Sequence, residues 1–256
     1  MGDPPRAPDA WAESWQRSWD RLEEALVPDR ERQISVLLDV AEAVAGTAPT
    51  VIDLACGPGT ITCRLLDRLP RAHSIAVDVD PVLLTIASAT FAHDDRVRVV
   101  RADLRDPGWG DALPESQVDA VLTATALHWL PRHAVRRLYR DLADVVHRGG
   151  VVAHSERMPL AGLPRLGPAL AELQHQPALG SDERRARWDA WWEEASREPA
   201  LQPATAQRHA VFETTYPTEE FSPPSDWHIS ELRDAGFAEA GLVWRSGAAA
   251  VIAAVR

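Results

Sequence analysis

Short apolar runs alternate with stretches of helical periodicity through the middle of the chain. The apolar runs predict strands at 51–55, 74–79, 97–102, 118–124 and 150–155, and apolar residues at helical spacing predict helices at 60–68, 81–91 and 131–146. Strands that alternate with helices are typical of a parallel sheet with helices on both faces. The pattern therefore predicts an α/β fold.

Further helices are predicted on both sides of this core, and a hairpin is predicted to end the chain. Trp11, Trp15, Trp19, Leu22 and Leu26 form one apolar stripe of a helix predicted at 10–26, and a second helix is predicted at 31–45. After the core, the pattern predicts a helix from Ser225 to Ala235 and strands at 237–244 and 248–255. Residues 1–9, which are rich in Pro, Asp and Arg, are expected to form a disordered tail.

The segment 158–223 interrupts the alternation of strands and helices. Prolines divide it into short pieces, and it is too long for a structureless loop, so we expect a folded insertion or lid. One helix is predicted within it, with Ser181 as the N-cap residue. The tryptophans of that helix, Trp188, Trp191 and Trp192, form either the core of the lid or a wall of a substrate site. The predicted divisions are thus a core at 10–157, the lid at 158–223 and a closing helix and hairpin at 224–256.

A glycine turn joins the first predicted strand to its helix. Gly57 and Gly59 allow the backbone to approach a ligand closely, and the N-terminus of the helix that follows favours an anionic group. The third glycine of the dinucleotide-binding fingerprint is replaced by Thr62, whereas Asp53 lies inside the strand, where a carboxylate suits an ammonium group. One ligand that carries a carboxylate and an ammonium on one tail is S-adenosylmethionine. The alternative is an ordinary strand-to-helix turn in which Asp53 is a local cap.

Two further acids follow the next two predicted strands. Asp78 ends a strand that lies roughly 20–25 residues after the glycine turn, where an acid can hold ribose hydroxyls. Asp103 follows the third strand and can accept a hydrogen bond from the adenine amino group. Because the carboxyl ends of parallel strands share one edge of a sheet, we expect Asp53, Asp78 and Asp103 to converge there.

Five motifs in this order resemble those of class I S-adenosylmethionine-dependent methyltransferases. They are Asp53-Leu54-Ala55-Cys56-Gly57-Pro58-Gly59, Ala76-Val77-Asp78-Val79-Asp80, Ala102-Asp103-Leu104, the run 118–130 from Val118 to Leu130, and Arg148-Gly149-Gly150-Val151-Val152. One departure is His147-Arg148, where many members have Lys-Pro. The resemblance implies a Rossmann-like, mostly parallel sheet of seven strands in the order 3-2-1-4-5-7-6, with the last strand antiparallel.

The resemblance also implies a set of cofactor-binding residues and an S-adenosylhomocysteine product. These residues are Arg30, Gln33, Asp53, Ala55, Gly57, Gly59, Asp78, Val79, Asp103, Leu104 and Thr123. Arg30 and Gln33 are the candidates for the methionine carboxylate, with Arg32 as an alternative to them. N-terminal helices of this family commonly lie over the cofactor, so a tryptophan of the helix at 10–26 is expected to cover the site.

Methyl transfer from a sulfonium mainly requires alignment and exclusion of water, and a general base helps when the acceptor is a hydroxyl or a protonated amine. His128, after the fourth strand, and His154, near the end of the fifth with Ser155 and Glu156 beyond it, are the candidate bases. In the family, a residue at the position of His128 often only packs beside the cofactor. His175 and His209 are expected to be surface or lid residues.

The expected acceptor is a small molecule, with oxygen or nitrogen favoured as the methylated atom. Its predicted wall consists of Trp19, Trp129, Trp191 and Trp192. The run Leu127-His128-Trp129-Leu130 resembles that of methyltransferases acting on small carboxylic acids, and Arg157, Arg165 or Arg208 are candidates to hold such an acid.

Composition narrows the range of partners. The 256 residues include 27 basic and 38 acidic side chains, for a formal net charge of −11. This charge argues against nucleic acid as a substrate, since nucleic-acid binding depends on clustered basic residues. Cys56 and Cys63 are expected to be reduced thiols. The sequence shows no signal peptide or membrane span, so we expect a cytoplasmic protein. It shows no metal-ligand pattern, so we expect no bound metal. The expected oligomeric state is a monomer or a homodimer.

Two other functions fit the same motifs. A non-methylating enzyme of this fold, such as a decarboxylase or cyclase, would use the cofactor as an electrostatic or structural element. A catalytically inactive partner protein would keep the fold alone, although the presence of every motif glycine and acid disfavours it.

Overall fold

The computed structural model describes residues 10–115, 117–163, 165–167, 169–170, 180–212 and 220–256. The disordered tail predicted for residues 1–9 and the surface position predicted for His175 lie outside these residues.

A single seven-stranded sheet forms the centre of the described chain. Its strands are β1 (Thr50–Leu54), β2 (His73–Asp78), β3 (Val97–Arg101), β4 (Val118–Ala124), β5 (Val146–Arg157), β6 (Glu239–Ser246) and β7 (Ala249–Val255). The strand order is β3-β2-β1-β4-β5-β7-β6, and β7 alone runs antiparallel to the other six strands. The predicted fold class and strand order are therefore confirmed.

Helices cover both faces of the sheet. They are α1 (Ala10–Leu26), α2 (Arg30–Ala45), α3 (Thr60–Arg68), α4 (Pro81–Thr90), α5 (Arg132–Val145), α6 (Ser181–Arg197), α7 (Gln202–Phe212) and α8 (Ser225–Asp234). Side chains alternate along β1, so that Val51 packs in the cluster containing α2 and α3, whereas Ile52 and Leu54 pack in the cluster containing α5 and α8. Burial of both faces explains why the strands are continuous apolar runs.

The fifth strand differs from its prediction. It begins at Val146, directly after α5 and before the predicted start at residue 150, so that Gly149 of the fifth motif also lies inside it. Gly149 has φ 84°, and the pairing of β5 with β4 shifts between Val118 and Ala120. A left-handed glycine allows one strand to continue through such a bulge, and for this reason Gly149 and Gly150 are part of the sheet.

A third apolar cluster lies outside the sheet and contains residues from four helices. Trp15, Trp19 and Leu22 of α1 pack with Val82, Leu83 and Ile86 of α4, Trp191 and Ala195 of α6, and Ala204 of α7. We call this cluster, together with the partly buried Trp188 and Trp192, the tryptophan roof. Two helices of the predicted lid are thus joined to the N-terminal helix.

Two helix starts show how local sequence sets these positions. Asp80 is the N-cap of α4, where its Oδ1 accepts hydrogen bonds from the backbone N–H groups of Val82 and Leu83, and Pro81 occupies the first turn. The prediction of Ser181 as the N-cap of α6 is wrong by one residue. Gly180 is the N-cap, and Ser181 is the first residue of the helix.

Candidate functional site

The glycine turn lies between β1 and α3 and has two left-handed glycines. Gly57 has φ 57° and Gly59 has φ 95°. A Cβ at Gly59 would lie 2.4 Å from Cε2 of Phe91, whereas a Cβ at Gly57 would lie 3.6 Å from Nε1 of Trp19. Gly59 is therefore required by close packing, and Gly57 leaves a bare stretch of backbone beneath the tryptophan roof.

Two other residues at strand ends also have left-handed backbones, although they are not glycines. Ala55, after β1, has φ 57°, and Thr125, after β4, has φ 53°. This conformation costs about 1–3 kcal/mol for such residues and is concentrated at functional sites. Both residues line the same cavity, so the strained backbone lies where a ligand would bind.

This cavity, of about 660 Å³, opens at the carboxyl ends of β1, β2 and β4 and is closed on the far side by the tryptophan roof. Many predicted site residues line it: Trp19, Arg30, Asp53, Ala55, Gly57, Asp78, Val79, Asp103, Leu104, His128, Trp129 and Trp192. Because parallel strands end at one edge, side chains from separate motifs converge on one volume.

Asp53 is fully buried and has one carboxylate oxygen without a partner. Its Oδ2 accepts hydrogen bonds from the backbone N–H and the hydroxyl of Thr62, while its Oδ1 has no partner among the described residues. Burial raises the pKa of Asp53 to about 6, with Asp78 adding to the rise and the Thr62 bonds and Arg30 opposing it. A buried acceptor of this kind suits an ammonium group.

Arg30, at the start of α2, supplies an unpaired donor to the same cavity. Its Nη1 donates to Oε2 of Glu23 at 2.9 Å, and its buried Nε–H has no partner among the described residues. Burial raises the pKa of Glu23, although Arg30 and His128 oppose the rise. The unpaired acceptor on Asp53 and the unpaired donor on Arg30 together match a ligand with both an ammonium and a carboxylate.

Asp78 joins the end of β2 to the glycine turn. Its Oδ2 accepts a hydrogen bond from the N–H of Gly57 at 2.8 Å, and its Oδ1 accepts from the N–H groups of Val79 and Asp80. Burial raises the pKa of Asp78 to about 6 against these bonds. Because a carboxylate oxygen can accept two bonds, Oδ2 keeps one position for a ligand hydroxyl.

Asp103 lines the cavity but already has a partner. Its carboxylate accepts hydrogen bonds from the N–H and the guanidinium of Arg105. Although burial opposes the effect, Arg105 holds the pKa of Asp103 below its usual range. An adenine amino group at this position would have to share the carboxylate with Arg105.

His128 lies in a short helical turn after β4, and Glu156 at the end of β5 fixes its orientation. The Nδ1 of His128 lies 2.9 Å from Oε2 of Glu156, and Oε1 of Glu156 accepts from the N–H groups of Ala126 and Leu127. Burial alone would raise the pKa of Glu156, but His128 and these backbone donors lower it below its usual value. Glu156 is therefore a carboxylate and only accepts, so Nδ1 carries a proton and Nε2 is the nitrogen left to act.

The same pair changes the basicity of His128. Burial alone would lower the pKa of this imidazole, but the charge and hydrogen bond of Glu156 raise it. Nε2 has no hydrogen-bond partner among the described residues, and the ring lines the cavity beside Trp129. The arrangement places an imidazole of fixed tautomer at the edge of the cavity, with Nε2 facing no described partner.

Five predicted site residues do not line the cavity: Gln33, Gly59, Thr123, His154 and Trp191. The amide of Gln33 bonds to the carbonyl of Pro28 and to the hydroxyl of Ser155, so it supports the strand end and does not point into the cavity. Trp191 packs within the tryptophan roof and donates to Oγ of Ser18. Arg32 is exposed, also outside the cavity.

His154 belongs to a buried cluster between the sheet and α5. The hydroxyl of Tyr139 bonds to Nε2 of His154 at 3.2 Å and to Nδ1 of His228 at 2.6 Å, and all three side chains are buried. Burial lowers the pKa of both histidines, to about 4 for His228. Successive side chains of a strand point to opposite faces of the sheet, and His154 lies on the face that α5 covers. Thr123 is paired with His154 in the register of β4 and β5.

Arg208 of α7 connects the roof to the cofactor side of the cavity. Its Nε donates to Oδ2 of Asp80 at 2.6 Å, and its guanidinium lies 3.6 Å from the ring centre of Trp192. The other two arginines predicted to hold an acid differ from it. Arg157 pairs with Glu220, and Arg165 is exposed and outside the cavity.

Three further predictions concern the cysteines, metal binding and membrane spans. Cys56 and Cys63 are free thiols. Within the described part of the chain, no group of three or more His, Cys, Asp or Glu side chains could hold a metal ion. None of the helices in those residues combines the length and apolar character that a membrane span requires. The cytoplasmic location and the monomeric or homodimeric state stay predictions.

Comparison with known proteins adds a family match. The family described as "Methyltransferase domain" matches residues 51–150, which contain the glycine turn and all three strand-end acids. A trans-aconitate 2-methyltransferase from Azoarcus sp. (strain BH72) is 37% identical over 106 residues, which cover 41% of this chain and 38% of that protein. The matched segment thus spans less than half the length of this curated relative.

Solved structures share the fold. An O-methyltransferase family protein from Burkholderia thailandensis superposes with a TM-score of 0.56 at 20% identity, covering 96% of this chain and 70% of that one. PigF, whose structure is described with SAH, superposes with a TM-score of 0.53 at 13% identity, covering 94% of this chain and 66% of that one. At these identities the likeness concerns the fold alone.

Some cavity residues escaped sequence reasoning. Arg184 and Arg185 of α6 line the cavity, and Glu23 pairs with Arg30 beside it. The packing of α6 against α1 decides which face of α6 lines the cavity. For this reason no local sequence pattern identified Arg184 and Arg185. Glu156 had one available signal, since it lies two residues after His154 at a strand end.

Proposed function

Because the chain belongs to the class I S-adenosylmethionine-dependent methyltransferases, we propose that it transfers the methyl group of S-adenosylmethionine to a small-molecule acceptor. An oxygen or nitrogen acceptor atom is favoured, because a base is available at the cavity edge. The observation that carries the proposal is a pair of buried atoms, Asp53 Oδ1 and Arg30 Nε, which have no partner among the described residues and lie in one cavity with the glycine turn.

The described residues fit this cofactor along its whole length. Asp53 and Arg30 would hold the ammonium and the carboxylate of the methionine part, Gly57 would allow close approach of the backbone, and Asp78 would accept from ribose hydroxyls. Asp103 would accept from the adenine amino group. Bound S-adenosylmethionine would supply a methyl group on a sulfonium, which is already an activated leaving group.

The charge of the cavity supports a cationic ligand. Asp53 and Glu23 are buried and Asp78 is partly buried, and removal from water raises the pKa of all three carboxyls. Such groups are stabilised in their charged form by a nearby cation. A ligand that carries a sulfonium and an ammonium would offset this desolvation.

In the proposed reaction His128 accepts the proton of the acceptor. Bound S-adenosylmethionine would supply the methyl group and leave as S-adenosylhomocysteine, and Nε2 of His128 would take the proton that a hydroxyl or a protonated amine of the acceptor loses. Glu156 keeps the proton of the ring on Nδ1 and stabilises the imidazolium that forms. The tryptophan roof excludes water, which favours alignment of the two reactants.

A small acceptor is supported by the shape of the cavity and the charge of the protein. Trp19, Trp188 and Trp192 close the cavity, and the formal net charge of −11 disfavours a polyanionic substrate. The trans-aconitate methyltransferase relative matches only two fifths of this chain, so trans-aconitate is the first acceptor to test and not an assignment.

Titration calorimetry with three ligands tests the cofactor part of the proposal. S-adenosylmethionine and S-adenosylhomocysteine are expected to bind about tenfold or more tightly than 5′-methylthioadenosine, which lacks the amino-acid end. Arg30→Gln should remove this advantage, whereas Arg32→Gln, an exposed neighbour, should keep it. Equal affinities of all three ligands for the wild type would contradict the proposed roles of Asp53 and Arg30.

Transfer itself is tested with S-adenosylmethionine labelled in its methyl group and acceptors that begin with trans-aconitate. Label in the acceptor supports a methyltransferase. Turnover of an acceptor without label would support the decarboxylase or cyclase alternative, and failure of both cofactor forms to bind would support the inactive partner protein.

A further inference from the structure

We infer that Arg184 and Arg185 of α6 form an anion-binding subsite for the acceptor, which selects molecules with a carboxylate joined to an apolar body. The inference rests on the proposed function and identifies the substrate class of the same cavity. It concerns side chains of the lid, which lie outside the methyltransferase domain matched at residues 51–150.

The geometry of α6 places these arginines on the cavity side of the helix. Residues three, four, seven and eight positions apart share one face of an α-helix. Arg184 and Arg185 precede Trp188 by four and three residues, and Trp192 follows one further turn along. All four side chains line the cavity, so the helix presents two cations and two aromatic rings to it.

These two arginines differ from the other arginines of α6 for which ion pairs are seen. Arg187 pairs with Glu183 and Arg197 pairs with Glu193, each four residues earlier in the helix. The residues four positions before Arg184 and Arg185 are Gly180 and Ser181, which offer no acid. Within the described residues neither guanidinium has a hydrogen bond or an ion pair, although the protein has an excess of acids.

The other positive groups around the cavity already have partners. Arg208 bonds to Asp80, and His128 bonds to Glu156. Arg30 bonds to Glu23, and the proposed function assigns its free Nε to the cofactor. Among the described residues that line the cavity, the two arginines of α6 are thus the cations available to an acceptor.

The chemistry of the subsite favours a carboxylate. A guanidinium binds a carboxylate through two parallel hydrogen bonds, which gives both strength and orientation. Trp188, Trp192 and the exposed ring of Trp129 offer apolar surface beside these cations. The site therefore fits a small acid with an aromatic or aliphatic body.

The test compares acids with their neutral amides in protein saturated with S-adenosylhomocysteine. Phenylacetate, cinnamate and indole-3-acetate are the probes, each paired with its amide, and binding is measured by calorimetry. We expect the acids to bind the wild type about tenfold or more tightly than their amides. In the double variant Arg184→Gln, Arg185→Gln this preference should disappear.

A matched control separates the subsite from general charge. Arg187→Gln removes a cation from the same helix that is exposed and paired with Glu183, and it should leave the preference unchanged. An acid preference that persists in the double variant, or a wild type that binds no acid better than its amide, would overturn the inference.

The two proposals fail in different ways. Loss of S-adenosylhomocysteine binding in the wild type would contradict the proposed function and the subsite with it. Normal cofactor binding and methyl transfer to neutral acceptors, without any acid preference, would contradict the subsite alone. Salt adds a further check, because binding that depends on the exposed Arg185 and the half-buried Arg184 should weaken as ionic strength rises.

Discussion

Replacement of Glu156 by Gln should inactivate the protein without preventing cofactor binding. The carboxylate of Glu156 accepts from Nδ1 of His128 and from the N–H groups of Ala126 and Leu127. An amide oxygen can keep the two backbone bonds, but the amide nitrogen that replaces Oε2 is a donor. It can only bond to Nδ1 if the imidazole proton moves to Nε2, and Nε2 then cannot accept the proton of the acceptor.

The size of the effect follows from the loss of the base. A positioned general base contributes about 10²–10⁴-fold to a rate, which corresponds to about 2.7–5.5 kcal/mol in the activation free energy. The loss of one charge-assisted hydrogen bond also costs about 1.5–3 kcal/mol of folding free energy, so the variant should be less stable but folded. Glu156 is a positioning residue and does not line the cavity, so affinity for S-adenosylhomocysteine should stay unchanged.

Single-turnover rates between acidic and alkaline pH provide the assay. The wild-type rate should rise with pH through the raised pKa of His128, because the base must be neutral. Glu220→Gln is the matched control, since Glu220 also raises the pKa of His128 and lines the cavity but does not bond to the ring. Its rate should stay within about tenfold of the wild type. A Glu156→Gln variant with the rate and pH profile of the wild type would refute the role of His128 as a base.

Three further outcomes test the structure. Gly59→Ala should lower the free energy of unfolding by about 2–4 kcal/mol, because the new methyl group crowds Phe91 and the backbone is left-handed. Gly57→Ala should show the cost of the left-handed backbone alone. Urea denaturation measures both variants, and equal losses of stability would contradict the packing argument. Arg208→Gln breaks the hydrogen bond to Asp80 and should therefore make α6 and α7 more sensitive to limited proteolysis. The solvent-facing control Arg197→Gln should leave this sensitivity unchanged. Equal cleavage rates in both variants would contradict the role of Arg208 in holding these helices. Burial holds the pKa of His228 at about 4 against a usual value of 6.5, so between these pH values the unfolded chain binds a proton that the folded chain does not, and the free energy of unfolding should fall by about 3 kcal/mol as the pH falls from 6.5 to about 4. Urea denaturation over this pH range should show a weaker pH dependence of stability in His228→Gln than in the wild type. An equally steep pH dependence in the variant would contradict the assignment.

The sequence predicted the part of the site that depends on strand ends. Asp53, Asp78 and Asp103 each follow or interrupt an apolar run, and parallel strands bring such positions to one edge whatever the details of packing. The glycine turn is equally local, since Gly57 and Gly59 are needed for its backbone. These residues line or shape the cavity for reasons that a short stretch of sequence contains.

The remaining residues depend on choices between faces that sequence leaves open. His154 and Ser155 are neighbours on β5, and the bulge at Gly149 precedes them, so their sides follow from the sheet and not from the pattern. Gln33 has the right position on α2, yet Ser155 and Pro28 take its amide. Arg184 and Arg185 face the cavity because α6 packs on α1, a contact between distant parts of the chain.

The tryptophan roof has a consequence for the synthesis of the protein. Trp191 donates to Ser18 across a separation of 173 residues, so the first helix is made long before α6. At about 5–20 residues per second, the ribosome needs roughly 9–35 s to deliver that partner. During this interval Trp15 and Trp19 have α4 as a partial cover but not α6. A nascent chain that ends before residue 181 would therefore contain the glycine turn and the three acids, yet it would present its tryptophans to chaperones.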